Sequence, residues 1–237
     1  MANDADMTAP VTFPDDGDVA SPARAEISRR ISQALDADPL CARLADQRLA
    51  IWGKHEFLTA AECDRMVAMI DADCVPSVLF SKGANAYYRT SSSCHLNPWD
   101  DLVATISQRI CGLMGIDPAT GETIQGQRYQ VGQEYRSHCD YFQARAAYWP
   151  EMRDSGGQRV WTAMIYLSDV EQGGETEFVQ MGFMVPPRKG TILMWSNVRT
   201  DGSPNPDSQH AARPVVAGTK YVVTKWFRER RWEPKRG

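Results

Sequence analysis

The sequence predicts an α+β protein, with a helical N-terminal half set against a C-terminal half of short strands that closes as a sandwich or barrel. Two observations carry this. Up to about residue 121, apolar residues recur at helical spacing between recognisable start and stop signals. From about Glu122 the chain changes to short β-type runs punctuated by Gly and Pro, and many such runs at close spacing suit a sandwich or barrel.

The elements follow in order. Residues 1–23 are rich in Asp, Pro and Ala and are expected to be loosely attached, because they offer little apolar surface to bury. From Arg24 to about Asp46, Ile27, Ile31, Leu35, Leu40 and Leu44 could line one helical stripe, interrupted near Asp38-Pro39. A second helix starts at Thr59, where Thr59 and Glu62 form a capping box, and Met66, Val67 and Ile70 follow as its apolar face. A third is predicted with Asn97 as N-cap and Pro98 as first helical residue, running through Leu102, Ile106, Ile110 and Leu113 to a stop at Gly115. The β-type runs are 124–131, 160–167, 176–179, 182–185, 191–195, 210–216 and 220–228. The coarse organisation is a segment 1–23, a helical supporting region 24–121 and a β core 122–237, one domain overall.

Composition narrows the function classes. Hydrophobic residues make up 43% of the 237 and charged residues 24%, which describes a globular chain with a sizeable core. A net charge of −4 gives no electrostatic grip on nucleic acid, and the basic stretch 228–236 reads as a solvated tail. No apolar run is long enough to span a membrane. The N-terminus lacks a secretory pattern, so a cytoplasmic location is expected. The six cysteines show no CxxC or zinc spacing and are expected to be free thiols.

The chemistry starts from two of the four histidines. His138 and Asp140 lie two apart, and on a strand such residues face one side while Cys139 faces the other. His210 opens another β run seventy positions later. Two imidazoles and one carboxylate make the facial triad of iron(II) oxygenases, which leaves positions open for substrate and oxygen. An HxD pair alone is weak evidence. A second piece is Lys220, just past the Ala217-Gly218-Thr219 turn. Alternation puts Lys220, Val222, Thr224 and Trp226 on one face of the last strand and leaves Lys225 on the other, as the expected solvent lysine. A buried lysine needs an anionic partner, and a dicarboxylate cosubstrate supplies one. His55 and His95 read as ordinary packed or surface histidines, and Asp201 and Asp207 as loop residues.

Four ordered motifs carry a family resemblance. They are YQVGQEYRSHCDY at 129–141, GGETEF at 173–178, PRKGTIL at 187–193 and HAARPVVAGTK at 210–220, the last followed by Trp226-Phe227-Arg228. An RTS segment at 89–91 precedes them. In order and spacing, residues 122–228 resemble the prolyl 4-hydroxylase branch of the 2-oxoglutarate and iron(II) dioxygenases. The resemblance implies a double-stranded β-helix, or jelly roll, as the catalytic core. It implies Fe(II) on His138, Asp140 and His210; the distal carboxylate of 2-oxoglutarate on Lys220 and Tyr129; Thr176 lining that pocket; Trp226 walling it near the metal; and Arg89 and Tyr141 facing the substrate. Molecular oxygen is the co-reactant and ascorbate a candidate reductant.

The expected reaction is hydroxylation of a prolyl residue in a peptide or protein, with release of succinate and CO2. Two alternatives stay open: hydroxylation of a free amino acid or another small molecule, and a non-catalytic metal-binding or sensing barrel. The segments 82–93 and 143–158 are polar and aromatic with glycines, and are candidate lids over the site.

Overall fold

A computed structural model describes residues 16–45, 47–77 and 88–233. The first helix, α1 (Pro22–Ala37), is capped by the Ser21 hydroxyl, which accepts from the Arg24 amide. Arg24, Ser28, Ile31 and Leu35 form its buried stripe. The helix ends at the predicted interruption, so Leu40 and Leu44 do not extend the stripe and are exposed. The second, α2 (Ala60–Asp73), has the predicted capping box, with Thr59 and Glu62 exchanging backbone bonds at 2.8 and 3.2 Å. The third, α3 (Asp101–Met114), starts later than predicted. Asp100, not Asn97, takes the orphan amides of Leu102 and Val103, while Asn97 accepts from Trp99 in a preceding turn. Gly115 ends α3 at φ 60°, as the stop signal required.

Most of the strands form one antiparallel sheet in the order β1 (Ala42–Arg43), β2 (Ile51–Lys54), β11 (Ile192–Ser196), β7 (Arg159–Tyr166), β14 (Lys220–Arg228), β5 (Gln125–Tyr129), β4 (Ser92–His95) and β3 (Val75–Pro76). A smaller sheet runs β10 (Phe183–Val185), β9 (Thr176–Phe178), β12 (His210–Ala212) and β6 (Tyr135–His138), and β8 (Gln172–Gly173) pairs with β13 (Val215–Ala217). The two facing sheets match the expected jelly roll. The supporting region is more than helical, since β1 to β4 all come from it and extend both ends of the large sheet. The expected single run 210–216 divides at Pro214, which has no N–H for a ladder, and its halves join different sheets.

The helices cover one face of the large sheet. Ile31, Leu35, Met66, Ile70, Ile106 and Ile110 pack there against Trp161, Ile165, Val223 and Phe227. Between the sheets lies a second cluster that includes Tyr129, Tyr166, Phe178, Trp195 and Val222. Thus every residue of β7 is buried. The helical layer also overturns the expectation for Lys225. Its parity is as predicted, but its face meets α3 rather than solvent, so Lys225 is 5% exposed and donates to the Glu122 carbonyl at 2.7 Å. Burial lowers its pKa.

Both chain ends differ from expectation. Of the segment 1–23, residues 16–23 are attached. The Gly17 carbonyl accepts from Gln158, the Asp18 carboxylate accepts from the Ala144 amide, and α1 begins at Pro22. Arg228, assigned to a solvated basic tail, is 3% exposed and bonded to Glu122 at 2.5 Å. Among the described residues, no helix is long and apolar enough to cross a membrane, and all six cysteines are free thiols. The candidate lid 82–93 lies outside the described residues up to position 87. The candidate lid 143–158 contains α4 (Trp149–Asp154), seated on a small cluster of Phe142, Ala144, Trp149 and Met152.

Candidate metal centre and its cavity

His138 ends β6 and His210 begins β12, and the two are register partners in the small sheet. Strand pairing therefore joins residues 72 positions apart. Asp140 lies just beyond the end of β6, so strand alternation accounts for His138 alone, and the chain past the strand delivers the carboxylate. The result is one compact group. Ligand atoms of His138, Asp140 and His210 all lie within 4.8 Å of one another. Nε2 of His138 is 3.7 Å from Asp140 Oδ1, and Nε2 of His210 is 3.8 Å from Oδ2.

The chemistry of this donor set fits a divalent cation. Nδ1 of His138 lies 2.9 Å from the Arg136 carbonyl, and Nδ1 of His210 lies 2.9 Å from the Ser208 carbonyl. A carbonyl can only accept, so each Nδ1 carries the proton and each Nε2 turns its lone pair towards the cluster. Burial, then the neighbouring His210, holds His138 down at about 3, which keeps its imidazole neutral and ready to ligate. Its ring stacks on Tyr135 with centroids 3.6 Å apart, and the Arg89 guanidinium carbon lies 4.8 Å from the Tyr135 ring centre. Two imidazoles and a carboxylate make a set suited to iron(II).

The triad borders a cavity of about 990 Å³ that runs between the sheets. Lys220 also lines it, 1% exposed, with no carboxylate within ion-pair distance among the described residues. Its Nζ has a 3.5 Å contact with Thr176 Oγ1 and lies 5.4 and 5.6 Å from the ring centres of Tyr129 and Tyr166. Burial pulls the lysine down to about 7, with Glu175 opposing. The Tyr166 phenol bonds Thr176 Oγ1 at 2.6 Å, while the Tyr129 phenol donates to Gln127 at 2.7 Å. Trp226, 8% exposed, forms part of the wall, with the Arg159 guanidinium stacked 4.0 Å from its ring centre. Arg89 and Tyr141 both line the cavity, and Arg89 is held by Ser91 and Gln125 at 3.1 and 3.0 Å. Cys139, expected to face away from the ligands, borders the cavity as well.

Sequence reasoning missed several polar groups here. Tyr166 shares a β7 face with Thr162 and Met164, a parity that the sequence does show. Glu122 bonds Arg159 through both oxygens at 2.7 Å and also holds Arg228, a buried trio that spacing alone could not reveal. Thr162 donates to Asp140 Oδ2 at 2.8 Å and receives a bond of 2.8 Å from Asn197.

Comparison with known proteins agrees with this geometry. The model of the 2OG-Fe(II) oxygenase superfamily matches residues 124–228. The chain is 34% identical over 198 residues to Probable prolyl 4-hydroxylase 8 of Arabidopsis thaliana, covering 73% of this chain and 66% of that protein. It is 40% identical over 157 residues to Prolyl 4-hydroxylase subunit alpha-1 of Rattus norvegicus, covering 65% of this chain and 29% of that one. A solved structure of the viral collagen prolyl hydroxylase from Paramecium Bursaria Chlorella virus-1, as its 2OG complex, superposes with a TM-score of 0.58 at 26% identity, covering 75% of this chain and 95% of that one. The chain thus spans just under two thirds of the plant relative's length and under a third of the rat subunit's.

Proposed function

We propose that the chain is a member of the 2OG-Fe(II) oxygenase superfamily, a 2-oxoglutarate- and Fe(II)-dependent dioxygenase that hydroxylates prolyl residues in a peptide or protein. One observation carries this reading: a His–Asp–His cluster and a buried ammonium without an acidic partner among the described residues share one cavity. The relatives' names point to prolyl substrates. A cavity of about 990 Å³ is at the upper end for small-ligand sites and leaves room beside a dicarboxylate for a length of peptide.

In this reading the triad holds Fe(II), which supplies the redox chemistry that couples decarboxylation of 2-oxoglutarate by O2 to hydroxylation of a C–H bond, releasing succinate and CO2. The protein binds, orients and excludes water. Lys220 gives the distal carboxylate of 2-oxoglutarate a point charge, and Thr176, Tyr166 and Tyr129 surround that end of the cosubstrate. Trp226 walls the pocket, and Arg89 and Tyr141 face the substrate. The reaction asks no side chain to act as a general base, because the C–H bond is cleaved oxidatively and not by removal of a proton. Ascorbate serves as an external reductant that keeps the metal ferrous.

The test incubates the protein with Fe(II), ascorbate and 2-oxoglutarate, together with a proline-rich peptide, free proline or neither. The expected result is succinate formation stimulated by the peptide and a gain of one oxygen atom on a prolyl residue by mass spectrometry. Oxygen gained on free proline alone would assign the enzyme to small molecules. Tight metal binding with no succinate under any condition would make the barrel a non-catalytic binder.

A further inference from the structure

We infer that Asn197 is a positioning residue for the metal centre, acting on Asp140 through Thr162 and joined by its own backbone to the loop that carries His210. The inference rests on the reading of the triad as a metal site.

Asp140 has two carboxylate oxygens but one hydrogen-bond donor among the described residues. Thr162 Oγ1 lies 2.8 Å from Oδ2, and because an ionised carboxylate only accepts, the single hydroxyl proton of Thr162 is committed there. Thr162 Oγ1 must then accept from its other neighbour. The Asn197 amide therefore turns its Nδ2 to Thr162, at 2.8 Å. Thr162 and Asn197 are both 0% exposed, so no solvent competes for these bonds. This orientation leaves Asn197 Oδ1 buried without a partner among the described residues. An orphaned buried acceptor costs about 1–3 kcal/mol. The fold tolerates that cost in a group whose one side-chain bond leads to a metal ligand, and an apolar residue of similar volume would carry no such penalty.

The backbone of Asn197 extends the same path to a second ligand. Its N–H donates to the Val160 carbonyl of β7 at 2.9 Å, and its carbonyl accepts from the Asn205 amide at 2.9 Å. The Asn205 carbonyl accepts from both the hydroxyl and the amide of Ser208, at 2.7 and 3.1 Å. The Ser208 carbonyl in turn accepts from Nδ1 of His210 at 2.9 Å. An unbroken chain of hydrogen bonds thus runs from Asp140 through Thr162, Asn197, Asn205 and Ser208 to His210. It sets the rotation of the carboxylate and the tautomer and tilt of the imidazole from one fixed point at the end of β11. Thr162 occupies one oxygen of Asp140, so Oδ1 is the oxygen without a hydrogen-bond donor among the described residues and the one that can give both lone pairs to a cation.

The test uses Mn(II) as probe on metal-free full-length protein, with free Mn(II) read by electron paramagnetic resonance and folding read by thermal melting. The variants are Asn197→Leu, Thr162→Val, their double and Thr162→Ser. Each of the first two is expected to weaken Mn(II) binding by about 10- to 100-fold, the range for lost partners of metal ligands. The double should be no weaker than the weaker single, because both break one path. Thr162→Ser keeps the hydroxyl and should bind within about twofold of wild type. A purely structural role would lower the melting temperature and leave the Mn(II) affinity alone. Folded Asn197→Leu with wild-type affinity, or losses that multiply in the double, would overturn the inference. If Asn197→Leu does not fold, Asn197→Ala takes its place under the same criteria. Failure of both to fold assigns the residue to folding and also overturns it. Wild-type protein that takes up no Mn(II) sinks the metal reading itself, and the relay with it.

Discussion

Lys220 makes a prediction that can be read as protons counted. In the free protein its ammonium is buried with no carboxylate in ion-pair distance among the described residues, and burial lowers its pKa from 10.5 to about 7. A dicarboxylate bound beside it would return the group to its ordinary range or above. Above pH 7, then, the free enzyme must take up a proton as 2-oxoglutarate binds. At about pH 8.5 the free lysine is mostly neutral and the bound one charged, so uptake approaches about 1 proton per cosubstrate. At about pH 6 both forms are charged and uptake falls to roughly 0.1. The apparent affinity should therefore drop about tenfold per pH unit between about 7 and 10. Isothermal titration of the Mn(II)-loaded enzyme in buffers of different ionisation enthalpy measures the uptake directly. Lys220→Met should abolish it and weaken 2-oxoglutarate binding on the order of 100- to 1,000-fold, while leaving Mn(II) affinity unchanged. The sign reverses for stability. The folded pKa lies below the unfolded one, so the lysine destabilises the free protein by roughly 4 kcal/mol at neutral pH, a cost that fades as pH rises towards 10.5. Lys220→Met should thus melt higher than wild type at pH 7. Equal proton uptake at the two pH values, or uptake that survives in Lys220→Met, would refute the reasoning.

The remaining predictions concern the triad, the cosubstrate pocket and the buried trio. His138→Ala should abolish succinate formation, since the two remaining ligands cannot hold the metal in place; normal succinate yield by chromatography would show the triad to be misassigned. Tyr166→Phe removes the phenol that bonds Thr176 at 2.6 Å and should raise the KM for 2-oxoglutarate by about tenfold with little change in kcat, measured by initial rates. Glu122→Leu leaves the Arg159 and Arg228 guanidiniums buried without their carboxylate and should cost about 3–5 kcal/mol in urea unfolding, whereas breaking an exposed pair such as Arg29–Glu26 should leave the unfolding midpoint nearly unchanged.

How much of this was legible depended on whether the information was local or lay across the fold. The capping box at Thr59, the stop at Gly115 and the strand 220–228 are local signals, and each appears where the sequence puts it. Asn97 lost the N-cap to Asp100 because two good capping residues stand three apart and only tertiary packing chooses between them. The strands β1 to β4 escaped because each is only two to four residues long, and β2 and β4 join the sheet through β11 and β5, partners far along the chain that no turn signal links to them. Lys225 shows the limit of alternation, which gives the face but not what covers it. The triad was legible because its pattern is a motif. Its supporting bonds were not, because Thr162 and Asn197 are unremarkable residues until strand pairing brings them to Asp140.

Some of the unpartnered polar groups belong to residues of the site, and these bear on what binds there. Among the described residues Lys220 is buried without an acid, Trp195 and Trp226 each bury an indole N–H without an acceptor, and all three line the same cavity as the triad, whereas the orphaned atoms of Arg128, Ser137, Trp149, Trp161 and Asn197 belong to residues outside it. Those at the cavity describe a ligand by its complement: an anion opposite Lys220 and hydrogen-bond acceptors beside the two indoles. A dicarboxylate satisfies the first requirement, and the carbonyl oxygens of an extended peptide suit the second. A small apolar metabolite would satisfy neither. If the proposed peptide substrate is right, a peptide whose carbonyls are replaced by methylenes should bind more weakly than its parent although it fills the same space, and equal binding in a competition assay would refute the role given to the two indoles.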